Sequence, residues 1–317
     1  MKEKVLVFGL GFIGSNVAKE LVKDYETYIT YRKLEGSKKL IYAELVNSDV
    51  HTIESGELTS ENIRSILEKV KPDFVVNTIG IIKGSTEDFM EAHANIPKRI
   101  GEEMLKVVPS AKLIHISAMS AVGPIGNPIK EEERHCDPSI VKPLTDYDKS
   151  KCEGERYIAA LGNSGLNYVI VRPTMVYGYY NDHVEFSYLY KLIKWGLIPK
   201  IDINIAAIYV KYLTQIIAKL IKTNEFDKKF LIATECELYN LGDIAVKMAH
   251  YMKITGIEFN VPKLLIDTFT PPSLKSFLAY AGIKYDCATT RKILGDIKPG
   301  LDDGIKEMIE WLSKVYG

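Results

Sequence analysis

The chain alternates short, uninterrupted apolar runs with longer stretches in which apolar residues recur every three to four positions. The short runs predict β-strands, and the longer stretches predict amphipathic helices between them. The predicted strands are residues 5–8, 27–31, 74–77, 113–117, 168–171 and 230–233, and the predicted helices include residues 60–69, 96–106 and 210–221. Because these strands lack polar alternation, we expect an α/β fold with a doubly wound parallel sheet of the Rossmann type, covered by helices on both faces.

The regular alternation ends after Pro173. Residues 178–203 mix aromatic and loop residues, and prolines interrupt the last part of the chain. This change predicts a second lobe. We expect a Rossmann domain formed by residues 1–174 and roughly 203–226, and a smaller, partly interleaved α/β substrate lobe formed by residues 175–202 and 227–317.

A glycine-rich turn with the spacing Gly-x-Gly-x-x-Gly separates the first predicted strand from a helical pattern. Its first glycine permits the turn, its second lets the backbone approach a pyrophosphate, and its third lets the helix pack closely on the strand. The N–H groups at the start of the helix can then hold the anion. We therefore predict that this turn binds a dinucleotide through Gly9, Gly11, Phe12, Ile13 and Gly14.

The end of the second predicted strand bears on which dinucleotide binds. An NAD-binding protein usually has Asp or Glu there, to hold the ribose 2′-hydroxyl. This chain has Arg32 and Lys33 instead, and these cations would pair with a 2′-phosphate. We expect NADP(H), with NAD as the alternative. The two residues can also be interpreted as solvated basic side chains of a loop.

Composition narrows the class of protein. The chain is 46% hydrophobic and 26% charged, as in ordinary globular proteins, and its 41 Lys and Arg balance its 41 Asp and Glu. We therefore expect no nucleic-acid or membrane partner. Cys136, Cys152, Cys236 and Cys287 lack short paired spacings, which argues against a metal site or a disulfide framework and favours a reduced, cytoplasmic location. Gln215 is the single glutamine, a composition typical of thermophiles.

Tyr147 and Lys151 are four residues apart and therefore share one face of a helix. A phenol loses its proton near pH 10 in water, too high for acid–base chemistry at neutral pH. A nearby ammonium lowers the pKa of a phenol, so this pair can transfer a proton. The same spacing is also common in surface helix pairs without any catalytic role.

Further segments follow in a consistent order: 71–77 (KPDFVVN), 93–97 (HANIP), 171–178 (VRPTMVYG), 208–210 (IYV) and 289–295 (TTRKILG). With the glycine turn and the Tyr/Lys pair, they make nearly the whole chain resemble the extended short-chain dehydrogenase/reductases, the superfamily of nucleotide-sugar epimerases, dehydratases and reductases. Segment 71–77 is similar to the dTDP-4-dehydrorhamnose reductase branch. The resemblance implies further cofactor contacts from Glu57, Leu58, Asn77, Thr78, Ile79, Gly80, Asn95, Pro173 and Val176.

The resemblance also implies a catalytic hydroxyl that polarises the reacting oxygen. The family places this Ser or Thr at the position that Ala118 occupies here. Ser117 and Ser120 are the alternatives, and Ser117 is preferred because it directly ends a predicted strand.

By this resemblance, we expect an NADP(H)-dependent oxidoreductase or epimerase acting on a carbonyl or secondary alcohol of a sugar nucleotide, with Tyr147 as acid and base and Lys151 beside it. The alternative is a catalytically silent, NADP-binding regulatory or assembly subunit, which the alanine at position 118 favours. Analogy with the family implies a homodimer. The exact substrate, and the choice between reduction and epimerisation, stay open.

Overall fold

The computed structural model describes residues 2–130, 136–137, 139–262 and 278–317. Its strands are β1 (Lys4–Phe8), β2 (Glu26–Tyr31), β3 (His51–Glu54), β4 (Phe74–Asn77), β5 (Lys112–Ile116), β6 (Asn167–Pro173), β7 (Met175–Tyr177), β8 (Leu197–Lys200), β9 (Asn204–Tyr209), β10 (Lys229–Ala233), β11 (Leu238–Asn240) and β12 (Ile257–Asn260).

The α-helices are α1 (Phe12–Leu21), α2 (Lys38–Val46), α3 (Ser60–Val70), α4 (Thr86–Met90), α5 (Ile96–Val107), α6 (Asp146–Asn163), α7 (Val184–Lys194), α8 (Val210–Ile221), α9 (Leu241–Tyr251), α10 (Ala288–Leu294) and α11 (Leu301–Tyr316). A π-helical turn, Glu91–Asn95, joins α4 to α5, and a 3₁₀ turn, Met119–Val122, follows β5.

Seven parallel strands form the main sheet in the order β3-β2-β1-β4-β5-β6-β10. One apolar core, which includes Val17 of α1 and Leu213 of α8, covers one face of this sheet. A second core, which includes Ile63 of α3 and Ile100 of α5, covers the other. Helices thus cover both faces, and the doubly wound Rossmann fold predicted from the apolar pattern is confirmed.

Two small sheets lie outside this layer arrangement. They are the three-stranded sheet β11-β9-β7 and the parallel pair β12-β8. Strand β10 forms an edge of the main sheet, although the predicted division assigns residues 227–317 to the substrate lobe. The division into a Rossmann domain and a substrate lobe stays a prediction.

The prediction about the cysteines is wrong. Cys136 is bonded to Cys152 and Cys236 to Cys287, with Cα–Cα distances of 5.2 and 5.3 Å. The partners are 16 and 51 residues apart in the sequence, and only the fold brings them together. Within the described residues, no group of three His, Cys, Asp or Glu side chains is arranged to hold a metal ion, and no helix is long and apolar enough to cross a membrane.

Candidate active site

The glycine turn has the geometry of an anion cradle. Gly9 has φ +110°, a backbone conformation that favours glycine. A Cβ on Gly14 would lie 2.1 Å from the Gly9 carbonyl oxygen, so α1 packs too closely on the turn for any side chain there. By contrast, a Cβ on Gly11 would meet nothing within 4 Å, and no side chain caps the N-terminus of α1. The turn therefore leaves open space in front of a helix N-terminus, as a pyrophosphate requires.

A cavity of about 410 Å³ extends from this turn along the carboxyl ends of the parallel strands to helix α6. Its lining includes most of the predicted site residues: Gly9, Gly11, Phe12, Ile13, Gly14, Arg32, Lys33, Glu57, Leu58, Thr78, Ile79, Gly80, Ser117, Tyr147 and Lys151. A cavity at this edge of a doubly wound sheet is where such folds bind nucleotides, and the residues present fit a dinucleotide.

One end of the cavity is basic and exposed. Arg32 lies 3.6 Å from the carboxylate of Glu57, and both side chains are well over half exposed, so this ion pair is weak and easily exchanged. Lys33 lies beside Arg32, and Lys38 starts helix α2 at the same end of the cavity. The place of Lys38 in the site depends on the loop between β2 and α2, which the sequence pattern does not predict.

The loop after β4 forms one wall of the cavity. The Thr78 hydroxyl donates to the carbonyl oxygens of Phe8 and Gly9, at 2.9 and 3.1 Å, and so ties this loop to the glycine turn. Asn77 is fully buried, and its Oδ1 accepts from the backbone N–H of Ile79 at 3.1 Å. Asn77 therefore shapes this wall from behind, whereas Thr78 and Ile79 face the cavity.

Helix α6 carries Tyr147 and Lys151. A capping box of Thr145 and Asp148 starts this helix, with each side chain bonded to the other residue's backbone N–H. Tyr147 thus lies in the first turn and Lys151 one turn later, buried, with its Nζ 5.9 Å from the centre of the Tyr147 ring. The cap therefore brings both side chains to the end of the cavity opposite the basic one.

The electrostatics of this pair correct one expectation. Burial, and then the carboxylates of Asp148 and Glu185, raise the pKa of Tyr147 above its ordinary value of 10. In the protein alone, these effects outweigh any lowering by the Lys151 ammonium, so the lowered pKa expected for Tyr147 is not reached. Burial instead lowers the pKa of Lys151 to about 8, against the opposing effect of Glu155. The lysine thus remains mostly charged at neutral pH.

The two candidate hydroxyls differ in environment. Ser117 directly follows β5, its N–H donates to the carbonyl oxygen of Val171 at 2.8 Å, and it is among the residues that line the cavity. Its buried Oγ has no hydrogen-bond partner among the described residues. Ser120 lies one turn further on, where its carbonyl oxygen accepts from the hydroxyl of Tyr280 at 3.1 Å. Of the two, Ser117 is the residue that lines the cavity.

Besides Asn77 and Ser120, three further predicted residues are not among those that line the cavity. Asn95 donates to the carboxylate of Glu91 at 3.1 Å, in the π-helical turn. Pro173 ends β6 and is buried, and Val176 is the middle residue of β7. The structure also brings His183, which directly precedes α7, to the cavity, with its ring edge-on to Phe12 at 5.7 Å.

Comparison with known proteins agrees with this geometry. The model of the NAD dependent epimerase/dehydratase family matches residues 5–195, which is more than half of the chain. The chain belongs to this family. The resemblance to the extended short-chain dehydrogenase/reductases, inferred from the order of the motifs, is thereby confirmed.

The relatives found include a UDP-glucose 4-epimerase from Vibrio cholerae, 26% identical over 218 residues. That match covers 62% of this chain but only 58% of the relative, so it spans less than two thirds of that protein. Among solved structures, UDP-glucuronic acid 4-epimerase from Bacillus cereus, in complex with NAD, has 18% identity and a TM-score of 0.77, covering 99% of this chain and 100% of that one. WbmH from Bordetella bronchiseptica, in complex with NAD⁺, has 14% identity and a TM-score of 0.76, covering 99% of each chain. These two likenesses show the shared fold.

Proposed function

We propose that this protein is a nicotinamide-dependent oxidoreductase of the epimerase type that acts on a sugar nucleotide. The observation that carries the proposal is the arrangement of one cavity, which begins at the open glycine turn and ends at Tyr147, Lys151 and Ser117. Binding groups for a dinucleotide and groups for proton transfer thus share one enclosed space, as hydride transfer requires.

When bound, the cofactor supplies the acceptor and donor of hydride. Tyr147 exchanges the proton of the substrate hydroxyl, and Lys151 places a positive charge beside it. Burial raises the pKa of Tyr147 and keeps its phenol protonated in the protein alone. This protonated form suits the return of a proton to the substrate oxygen, whereas accepting the hydroxyl proton in the first half of an epimerisation requires the phenolate. Ser117 has an unpaired hydroxyl that can donate to the same substrate oxygen, and the buried setting strengthens that hydrogen bond.

We further propose that NADP(H) is the preferred form of the cofactor. Support comes from the three cations at the basic end of the cavity, since Arg32, Lys33 and Lys38 can surround a 2′-phosphate. The solved relatives in complex with NAD show that the fold also serves NAD. In binding titrations, Arg32→Ser should weaken NADPH about tenfold or more and leave NADH nearly unchanged. Lys39→Ser removes the same charge outside the cavity and is the matched control; equal effects of the two variants would refute the preference.

The substrate class follows the relatives, whose names specify UDP-glucose and UDP-glucuronic acid. The direct test incubates the purified protein with each UDP-sugar and NAD⁺ or NADP⁺, and follows the configuration at sugar C4 by NMR. Formation of the C4 epimer by the wild type, but not by Tyr147→Phe, would support the proposal. A wild type that turns over neither sugar while binding the cofactor would favour the silent subunit suggested by Ala118.

We further propose an oligomeric state and a cellular location for this protein. A homodimer is expected by analogy with the family, and sedimentation of the purified chain tests it. A cytoplasmic location remains proposed as well, although the two disulfides are unusual for a reducing compartment outside hyperthermophiles.

A further inference from the structure

His93 is fully buried between the loop after β4 and helix α6. It lies in the π-helical turn, a distortion that is frequent at functional sites. Its ring stacks on Phe89 with centroids 5.7 Å apart and meets the Tyr147 ring edge-on at 4.9 Å. An imidazole in direct contact with Tyr147 thus lies behind the cavity, and the mechanism above gives it no role.

The hydrogen bonds of this ring determine its tautomer. The backbone N–H of Ile81 donates to Nε2 at 3.1 Å, so Nε2 carries no proton. Nδ1 therefore carries the proton and donates to the Ser150 hydroxyl at 2.8 Å. That hydroxyl donates in turn to the carbonyl oxygen of Tyr147 at 2.7 Å. The chain from Ile81 to Tyr147 is complete, with each donor meeting an acceptor.

We propose that His93 is a positioning residue: the hydrogen-bonded chain through its ring fixes the loop after β4 against the first turn of α6, and thereby holds Tyr147 at the cavity. This inference rests on the proposed function, because it assigns His93 to the same reaction. His93 does not line the cavity and acts through Tyr147.

The packing around His93 supports a fixed link. A Cβ built on Gly80 would lie 3.4 Å from both His93 Nε2 and Lys151 Nζ, so the loop, the imidazole and the lysine converge at one point. A Cβ on Gly154 would lie 1.9 Å from the His93 carbonyl oxygen, so α6 rests directly on the π-helical turn. The imidazole is fully buried where these elements meet.

The charges around His93 preserve its tautomer. Burial and the nearby ammonium of Lys151 lower the pKa of His93 to about 2, and His115 acts in the same direction. The ring therefore keeps one proton, on Nδ1, over the pH range in which the protein would work.

The test uses variants that break different parts of the chain. His93→Phe keeps an aromatic ring but no hydrogen bond, and His93→Gln keeps an acceptor near the position of Nε2. Ser150→Ala removes the relay, and Ser164→Ala makes the same change at the other end of α6 as a control. We expect His93→Phe to lower kcat about tenfold or more, with KM for the sugar nucleotide and Kd for NADPH changed less than about threefold. Ser150→Ala alone should lower kcat less than His93→Phe does. Added to His93→Phe, it should lower kcat no further.

A second readout is independent of turnover. In the ¹⁵N NMR spectrum of the wild type, His93 should show a proton on Nδ1 and none on Nε2 from pH 5 to 9. In protein labelled with ¹³C at tyrosine Cζ, Ser150→Ala should shift the Tyr147 resonance and Ser164→Ala should not. Ser150→Ala is the smallest of these changes, so its effect on the Tyr147 resonance can be measured even if the His93 variants do not fold.

A proton on Nε2, titration of His93 in this range, or an unmoved Tyr147 resonance in Ser150→Ala would each overturn the inference. Equal losses in kcat and cofactor affinity would overturn it as well. If the wild type turns over no sugar nucleotide, the proposed function fails, and the NMR results alone then decide the role of His93.

Discussion

Two buried polar clusters of this protein differ in how their groups are satisfied. Beside β7, β9 and β11, the carboxylate of Glu235 accepts from the hydroxyls of Tyr177 and Tyr239, both at 2.7 Å, and from the N–H groups of Tyr209 and Gly300, both at 2.6 Å. At the cavity, the buried Ser117 Oγ has no partner within the described ranges. The hydrogen-bonding capacity of the Glu235 carboxylate is saturated, whereas the Ser117 hydroxyl can still form a hydrogen bond with a ligand.

The comparison teaches that an unpaired polar atom indicates function only together with a cavity. Ser15 Oγ and Trp311 Nε1 are also buried without a partner in the described part of the chain, but neither residue lines the cavity. Ser117 combines both properties. The Glu235 carboxylate has neither property, and its four donors connect strands, a helix start and a loop, which is a stabilising role.

The largest expected effect comes from removing one hydroxyl in each cluster. Tyr147→Phe should lower turnover of a sugar nucleotide by about 10²–10⁴-fold, because it removes the acid–base group, while the free energy of unfolding changes by less than about 1 kcal/mol. Tyr239→Phe should show the reverse: unchanged kcat and a loss of about 1–3 kcal/mol of stability. Steady-state kinetics and urea unfolding measure both. A Tyr147→Phe variant with wild-type turnover would contradict the assignment.

The second prediction concerns the saturated cluster. Glu235→Gln replaces one acceptor oxygen by an amide that faces donors, so we expect a loss of about 3 kcal/mol in the free energy of unfolding. Glu237→Gln makes the same change at an exposed position two residues away and should alter stability by less than about 0.5 kcal/mol. Urea unfolding measures the free energy of unfolding of both variants. Equal stabilities would show that the four hydrogen bonds of Glu235 have little net effect.

The third prediction separates the two candidate hydroxyls. Ser117→Ala should lower kcat by about 10²-fold, since a buried donor to a developing charge is lost. Ser120→Ala, the matched change outside the cavity, should leave kcat within about threefold. Kinetics on the same substrate measure both. A larger loss in Ser120→Ala would transfer the role to that residue.

The smallest effect is a dependence on pH. Burial lowers the pKa of Lys151 to about 8, so this ammonium is charged below that pH and loses its proton above it. Its neighbours are Tyr147, Glu155, His93 and His115. We expect kcat to fall about tenfold for each pH unit above 8. Lys151→Arg keeps its charge and should lack this fall, whatever its absolute rate. A wild-type kcat that rises between pH 8 and 9.5 would refute the claim that turnover requires a charged Lys151.

The sequence predicts the fold well where burial appears as a continuous apolar run. Strands β1, β4, β6 and β10 have such runs, but β3 (His51–Glu54) is a polar edge strand and was missed. The disulfides were missed for a related reason, because a separation of 51 residues between Cys236 and Cys287 carries no signal of contact.

For the site, the sequence identifies residue types but not their surroundings. The spacing of Tyr147 and Lys151 places them on one helix face, yet the direction of the Tyr147 pKa depends on burial, which spacing does not show. The choice between Ser117 and Ser120 likewise depends on which of the two residues lines the cavity. His93 lacked any signal, since its link to Ser150 joins residues 57 positions apart.

The most direct measurement is a crystal structure of Tyr147→Phe grown with NADP⁺ and UDP-glucose. We expect the dinucleotide to lie along the cavity from Gly11 towards Ser117, with its 2′-phosphate at Arg32 and with the Ser117 hydroxyl bonded to a substrate oxygen, while the contacts of Glu235 stay unchanged. An empty cavity at saturating nucleotide, or a nucleotide bound elsewhere, would contradict the assignment of this cavity as the active site.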